Sequence, residues 1–159
     1  MIIQEDTRQQ AGKHNIKHAY FDEAGIGVVR CKLPFGDYAP IPPVSVDTKK
    51  DMDEIANNIC GSSHQRFINE CKAARAAGCK LIILVENTVG VSDLSQVHLW
   101  KNPRSCYSPN CVQGPRLQKA METISTRYGV EFRFCTPEEA GGIITGIIQE
   151  YEQTIRRGD

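Results

Sequence analysis

Apolar and polar positions alternate with two different periods along this chain, and the periods change places repeatedly. Met1 to Glu5 is apolar at its start and reads as a short strand that ends at Asp6-Thr7-Arg8. Gln9 to His14 is polar and reads as a loop. Ile16 to Ala24 has Ile16, Ala19 and Tyr20 on one side, which predicts a helix with that face inward and Gly25 as its stop. Ile26 to Leu33 is rich in β-branched residues and reads as a strand. Pro34-Phe35-Gly36-Asp37 turns the chain. Tyr38 to Ile41 can be extended, but Pro40, Pro42 and Pro43 argue against a central strand there.

Val44 to Lys49 alternates strictly. On a strand, Val44, Val46 and Thr48 share one face, while Ser45, Asp47 and Lys49 share the other. Asp51 to Ile59 predicts a helix with Met52, Ile55 and Ile59 inward, broken at Gly61-Ser62-Ser63. His64 to Ala77 predicts a second helix, carried by Phe67, Cys71 and Ala74 and stopped at Gly78. Cys79 to Val85 is almost continuously apolar, the pattern of a strand covered on both faces and paired in parallel.

Thr88 to Gly114 has no clear period and is longer than a usual connection, so it marks a functional or mobile segment. Pro115 to Tyr128 predicts a helix, Val130 to Phe134 a strand. A last helix follows Thr136-Pro137-Glu138-Glu139, with Thr as cap, and runs through Ile143, Ile144, Ile147, Ile148 and Tyr151. Strands and helices interleave, which predicts one α/β domain of 159 residues.

Composition narrows this picture. Lys plus Arg and Asp plus Glu both number 19, so the net charge is zero with His neutral, and any nucleic-acid contact must come from a local basic face. Seven cysteines, scattered and odd in number, fit reduced thiols and a cytoplasmic setting better than a disulfide framework. No apolar run approaches the ~18 residues that cross a bilayer, and Met1-Ile2-Ile3 enters a strand-like run without targeting features. Cys106 and Cys111, with His98, raise a zinc reading; a structural zinc site wants four ligands in closer pairs, and no second pair is present. Trp100, Lys101, Arg104 and Tyr107 mix aromatic and basic residues, as a single-strand contact would, or as a capping loop that buries Trp100 would. Arg127, Arg133, Arg156 and Arg157 read as ordinary surface charges.

The candidate chemistry lies at Asp37, Asp47 and Lys49. An Asp, nine intervening residues, then Asp-X-Lys is the PD-(D/E)XK pattern of metal nucleases, weak when alone. Its context adds weight. Gly36-Asp37-Tyr38, then Val46-Asp47-Thr48-Lys49, then Asp53 four after the lysine resembles the nuclease domain of the XPF family, which carries GDY followed by V-E-R-K-x-x-x-D and a short helix. Glu5-Asp6-Thr7-Arg8 is similar to the family's strand-end D-x-R, Arg66-Phe67 to Glu70 to its second helix, and Leu81 to Glu86 to its L-I-V-E strand.

The resemblance implies a restriction-endonuclease-like fold, a central mixed sheet flanked by helices, and divalent-metal-dependent cleavage of DNA at flaps, forks or junctions, in repair or recombination. It implies Asp37 and Asp47 as ligands of Mg2+ or Mn2+, with the Thr48 carbonyl and waters completing the shell. Lys49 would orient or deprotonate the attacking water. Asp6 would add a further carboxylate, beside Arg8. Asp53 would orient Lys49 or an arginine, and Arg66 and Glu70 would line the cleft. The implied partner is DNA, branched or with single-strand character; the last helix would supply a homodimer face. A compact lone domain of this kind suits a bacterial or phage source. The alternative is an inactive nuclease-fold module that binds DNA or a partner protein. This chain departs from the pattern in three places: the family's glutamate is Asp47, its arginine is Thr48, and no tandem helix-hairpin-helix module follows within the 159 residues.

Overall fold

The computed structural model describes residues 2–9, 15–39 and 44–157. Six strands form one sheet: β1 (Ile2–Asp6), β2 (Gly27–Cys31), β3 (Tyr38–Ala39), β4 (Val44–Lys49), β5 (Lys80–Glu86) and β6 (Glu131–Cys135), in the spatial order β2-β1-β3-β4-β5-β6. The pairs β1–β2, β4–β5 and β5–β6 are parallel, and β3 is antiparallel to both β1 and β4. Only β3 is therefore reversed, and the other five strands end on the same side. The sheet is mixed and flanked by helices on both faces, as the α/β reading required.

The helices are α1 (Asn15–Glu23), α2 (Met52–Cys60), α3 (His64–Ala76), α4 (Gly114–Tyr128) and α5 (Ala140–Arg157). Strand parity sorts the core into two layers. Leu81, Ile83 and Val85 of β5 pack with Ile55, Phe67, Cys71, Leu117 and Met121 of α2, α3 and α4. Ile82 and Leu84 pack on the opposite face with Val44 and Val46, Phe21 of α1, and Ile144, Ile147 and Ile148 of α5. The continuous apolar run of β5 is thus covered on both faces. The apolar stripe of α5, expected as a dimer face, is consumed inside this second layer.

Three elements differ from the sequence expectation. On α1 the buried residues are Lys17 and Phe21, whereas Ile16 is 53% exposed. Lys17 turns inward because it meets Glu86 beneath the helix, and Phe21 because it packs edge-on against Tyr38. Second, β3 is central in the sheet although it is only two residues long; Pro40, Pro42 and Pro43 lie outside the described residues. Third, the last helix starts at Ala140, after a turn. Glu139 does reach back to accept the Thr136 N–H at 2.9 Å, half of a capping box, but the helix begins beyond it.

The irregular stretch between β5 and α4 holds two 3-10 turns, Leu94–Leu99 and Pro103–Cys106. It packs closely on α4: a Cβ on Gly114 would fall 2.4 Å from the Val97 carbonyl oxygen and 2.7 Å from that of Trp100. Trp100 is 6% exposed and Tyr107 73% exposed. The loop therefore buries its tryptophan and leaves the tyrosine out. All seven cysteines are free. Among the described residues, no helix is long and apolar enough to cross a membrane.

Candidate active site

β4 carries the site because its alternation continues to the strand's end. Val44 and Val46 go into the α1/α5 layer. Ser45, Asp47 and Lys49 take the other face, where Lys49 Nζ lies 5.8 Å from the centre of the Phe67 ring of α3. Every residue of β4 is buried, the two charged ones included. Asp47 Oδ2 is 2.7 Å from Lys49 Nζ and has no hydrogen-bond partner besides that ammonium.

Asp37 reaches the same strand from the turn before β3. Its N–H donates to the Val46 carbonyl at 2.9 Å. Its Oδ2 accepts from both the Thr48 N–H at 2.8 Å and the Thr48 hydroxyl at 2.9 Å. The turn is possible because Gly36 has φ +72° and sits directly on the strand; a Cβ there would be 2.1 Å from Ser45 Oγ. The Gly36 N–H donates to Glu70 Oε1 of α3 at 2.6 Å, so the turn is tied to α3 as well as to β4. Gly36→Ala is expected to cost about 1–3 kcal/mol and to displace Asp37. Urea unfolding checks the first effect, and divalent-ion binding by the folded variant checks the second.

The electrostatics follow from this crowding. Burial pushes the Asp47 carboxyl well above its usual range; Lys49 opposes the rise, while Asp37 and Glu70 add to it. Burial pushes the Lys49 ammonium down, but Asp47, Asp37 and Glu70 together outweigh it and hold the group above its ordinary value. Lys49 is therefore a charged ammonium in the resting site. Buried Asp47 and half-buried Asp37, with Glu70 alongside, leave excess negative charge, which a divalent cation would relieve.

Among the described residues, no three His, Cys, Asp or Glu side chains are arranged to hold a metal ion. The donor set on offer is Asp37 and Asp47, together with main-chain carbonyls such as that of Thr48. Two carboxylates with waters for the remaining positions suit Mg2+ or Mn2+, which are bound through hard oxygen ligands and few protein groups. The residues present thus fit such an ion.

Asp6 is placed differently from the expectation of a further metal carboxylate. Its Oδ1 accepts from the Arg8 N–H at 2.7 Å and Arg8 Nε at 2.8 Å, and its Oδ2 from Arg8 Nη2 at 2.5 Å and the Leu33 N–H at 3.0 Å. Both oxygens are occupied in anchoring the chain ends of β1 and β2. Burial pushes the Asp6 carboxyl up, but the Arg8 side chain and the Arg8 and Leu33 N–H groups hold it below the ordinary range. A depressed folded value contributes stability above the unfolded carboxyl pKa and loses it as pH falls through the folded one. Asp6→Asn is expected to cost about 1–3 kcal/mol near neutral pH. In denaturation series at falling pH, the gap to wild type should close below the ordinary carboxylate range.

The remaining candidates divide. Glu70 belongs to the site through Gly36. Arg66 lies one helical turn before it, exposed and without a hydrogen bond or ion pair among the described residues. Asp53 does not meet Lys49. Its Oδ2 is 4.0 Å from Arg104 Nε, while its Oδ1 is buried without a hydrogen-bond partner. Arg104 belongs to the irregular segment and reaches Asp53 of α2 from the second 3-10 turn. His98 Nδ1 lies 2.6 Å from the Ser95 carbonyl oxygen, Cys106 Sγ donates to the Pro103 carbonyl, and Gln113 Nε2 donates to Cys111 Sγ. These three do not converge.

The family model described as "ERCC4 domain" matches residues 6–146 of the chain. No curated protein matches. Among solved structures, XPF from Aeropyrum pernix has a TM-score of 0.69 at 16% identity; the alignment covers 99% of this chain and 69% of that one. XPF from the same organism in complex with DNA has a TM-score of 0.69 at 17% identity, with 96% and 66% covered. At these identities the likeness concerns the fold, and the chain spans about two thirds of the length of either structure.

Proposed function

The chain belongs to the ERCC4 domain family, and from that premise we propose that it is a divalent-metal-dependent DNA endonuclease that hydrolyses phosphodiester bonds. The observation that carries the reading is the buried Asp47–Lys49 ion pair on β4, with half-buried Asp37 hydrogen-bonded to the intervening Thr48. A solvated strand face with an incidental ion pair would not need Lys49 and Asp47 buried together beneath α3.

In this mechanism Asp37 and Asp47 would hold Mg2+ or Mn2+, and the Thr48 carbonyl would be a further ligand. When bound, such an ion neutralises charge on the scissile phosphate and lowers the pKa of a coordinated water. The chain's own residues do the rest. Because its neighbours keep Lys49 protonated, it serves better as a fixed positive charge than as a base. It orients the attacking water and offsets charge developing on the phosphate oxygens. The ammonium is buried, with Nζ 5.8 Å from the centre of the Phe67 ring. Arg66 is an exposed cation beside the Glu70 turn, available to a backbone phosphate. Arg104, held near Asp53, offers a second cation.

The substrates this reading favours are flaps, forks, nicks and junctions, in DNA repair or recombination. That preference rests on the family, of which one member is seen in complex with DNA. Purified protein with Mg2+ or Mn2+ should cut at least one of forked, flapped or nicked duplexes, and chelation should stop it. If neither ion supports cleavage of any of them, the enzyme reading fails and a DNA- or partner-binding module replaces it.

A further inference from the structure

Position 48 is where this chain departs most from the pattern it resembles, with threonine in place of arginine. The structure shows what the threonine does. Its N–H and its Oγ1–H both donate to the same oxygen, Asp37 Oδ2, at 2.8 and 2.9 Å. Thr48 is buried, and its side chain has χ1 freedom limited by β-branching, so the hydroxyl is held in place. Any residue could supply the N–H. Only a hydroxyl on Cβ adds the second donor at this point.

All hydrogen bonds to the Asp37 carboxylate among the described residues fall on Oδ2, which leaves Oδ1 without one. A carboxylate gripped by one oxygen and open at the other is prepared to bind a cation. We infer that the Thr48 hydroxyl is a positioning group for Asp37, fixing the carboxylate so that Oδ1 is presented to the divalent ion. The role is separate from that of the Thr48 carbonyl, and it rests on the metal-dependent reading above. It also gives the threonine at position 48 a physical meaning, since a neutral donor orients Asp37 without neutralising it.

Two variants test this: Thr48→Val, of equal shape without the hydroxyl, and Thr48→Ser, which keeps it. Mn2+ binding to the free protein is measured by electron paramagnetic resonance titration, with no DNA present, and folding by thermal unfolding monitored by circular dichroism. Thr48→Val should unfold like wild type in the absence of metal to within a few degrees, yet bind Mn2+ about 10–100-fold more weakly. Thr48→Ser should restore most of the affinity, and raising Mn2+ should recover cleavage by Thr48→Val. If wild type and Thr48→Val bind Mn2+ equally, the assignment is overturned while the metal-dependent reading stands. If Thr48→Val and Thr48→Ser lose affinity alike, the hydroxyl is not the cause. If wild type binds no Mn2+, the metal-dependent reading falls and this assignment falls with it.

Discussion

Replacing Lys49 with methionine should lower DNA cleavage about 10²–10⁴-fold while the protein still binds Mn2+ at pH 8. Methionine keeps most of the side chain's length and its apolar stem, so it removes the charge beside Phe67 without opening a large cavity. Alanine would confuse the two effects. The variant also separates the roles of the ion pair. In wild type the ammonium 2.7 Å from Asp47 opposes the rise of that carboxyl's pKa. Without it, Asp47 must retain its proton to higher pH, and a metal ion has to displace that proton. Mn2+ affinity of Lys49→Met should therefore fall more steeply than that of wild type as pH is lowered from 8 to 6. Single-turnover cleavage under saturating Mn2+ and binding titrations across that range measure both. A variant that cuts within a few-fold of wild type at saturating metal would remove Lys49 from the chemistry and leave it only as a counter-ion.

Such a direct expectation was available because the site's geometry is short-range. Asp47 and Lys49 are two residues apart on a strand whose parity is visible from Val44 and Val46, so their shared face follows from the pleat alone. Gly36 announces a turn with positive φ, and a turn that close to β4 brings Asp37 along. The same reasoning located the covered strand β5 and the inward faces of α2 and α3, since each depends only on a local period.

Where the reading failed, the cause was a contact that no local period marks. The inward turn of Lys17 is not legible in the sequence because nothing within a helical window marks its carboxylate, which comes from β5 at Glu86. Asp6 looked like a spare metal ligand because strand position says nothing about a neighbouring arginine that folds back on it. Arg104 could not be assigned to Asp53 from a segment without periodicity. β3 was obscured by its length: two residues carry no alternation, yet they join the β1–β2 half of the sheet to the β4–β5–β6 half. The Thr48 hydroxyl belongs to the same class. Its residue was in view as a departure from a pattern, but its use depends on which carboxylate oxygen it faces.

The strongest stability effect should come from that hidden partner, Lys17. The Lys17 ammonium and the Glu86 carboxylate form an ion pair with both side chains less than one tenth exposed, under α1 and at the end of β5. Neither charge can be rehydrated if the other is removed. Lys17→Met is accordingly expected to cost about 3–5 kcal/mol, a large share of the roughly 5–15 kcal/mol that holds a domain together. Glu86→Gln should cost less, because the amide oxygen still accepts from the ammonium. The double variant Lys17→Met with Glu86→Leu removes both charges and places apolar groups beside Phe21 and Ile144, so it should regain most of the loss. Urea denaturation at pH 7 of wild type, Lys17→Met, Glu86→Leu and the double variant gives the coupling energy directly. Near-additive losses, or a Lys17→Met cost below about 1 kcal/mol, would mean that water reaches the pair and that α1 is held by Phe21 alone. The expected non-additivity would instead show α1 pinned by charge to the strand end that lies beside β4, where Asp47 and Lys49 require a rigid sheet.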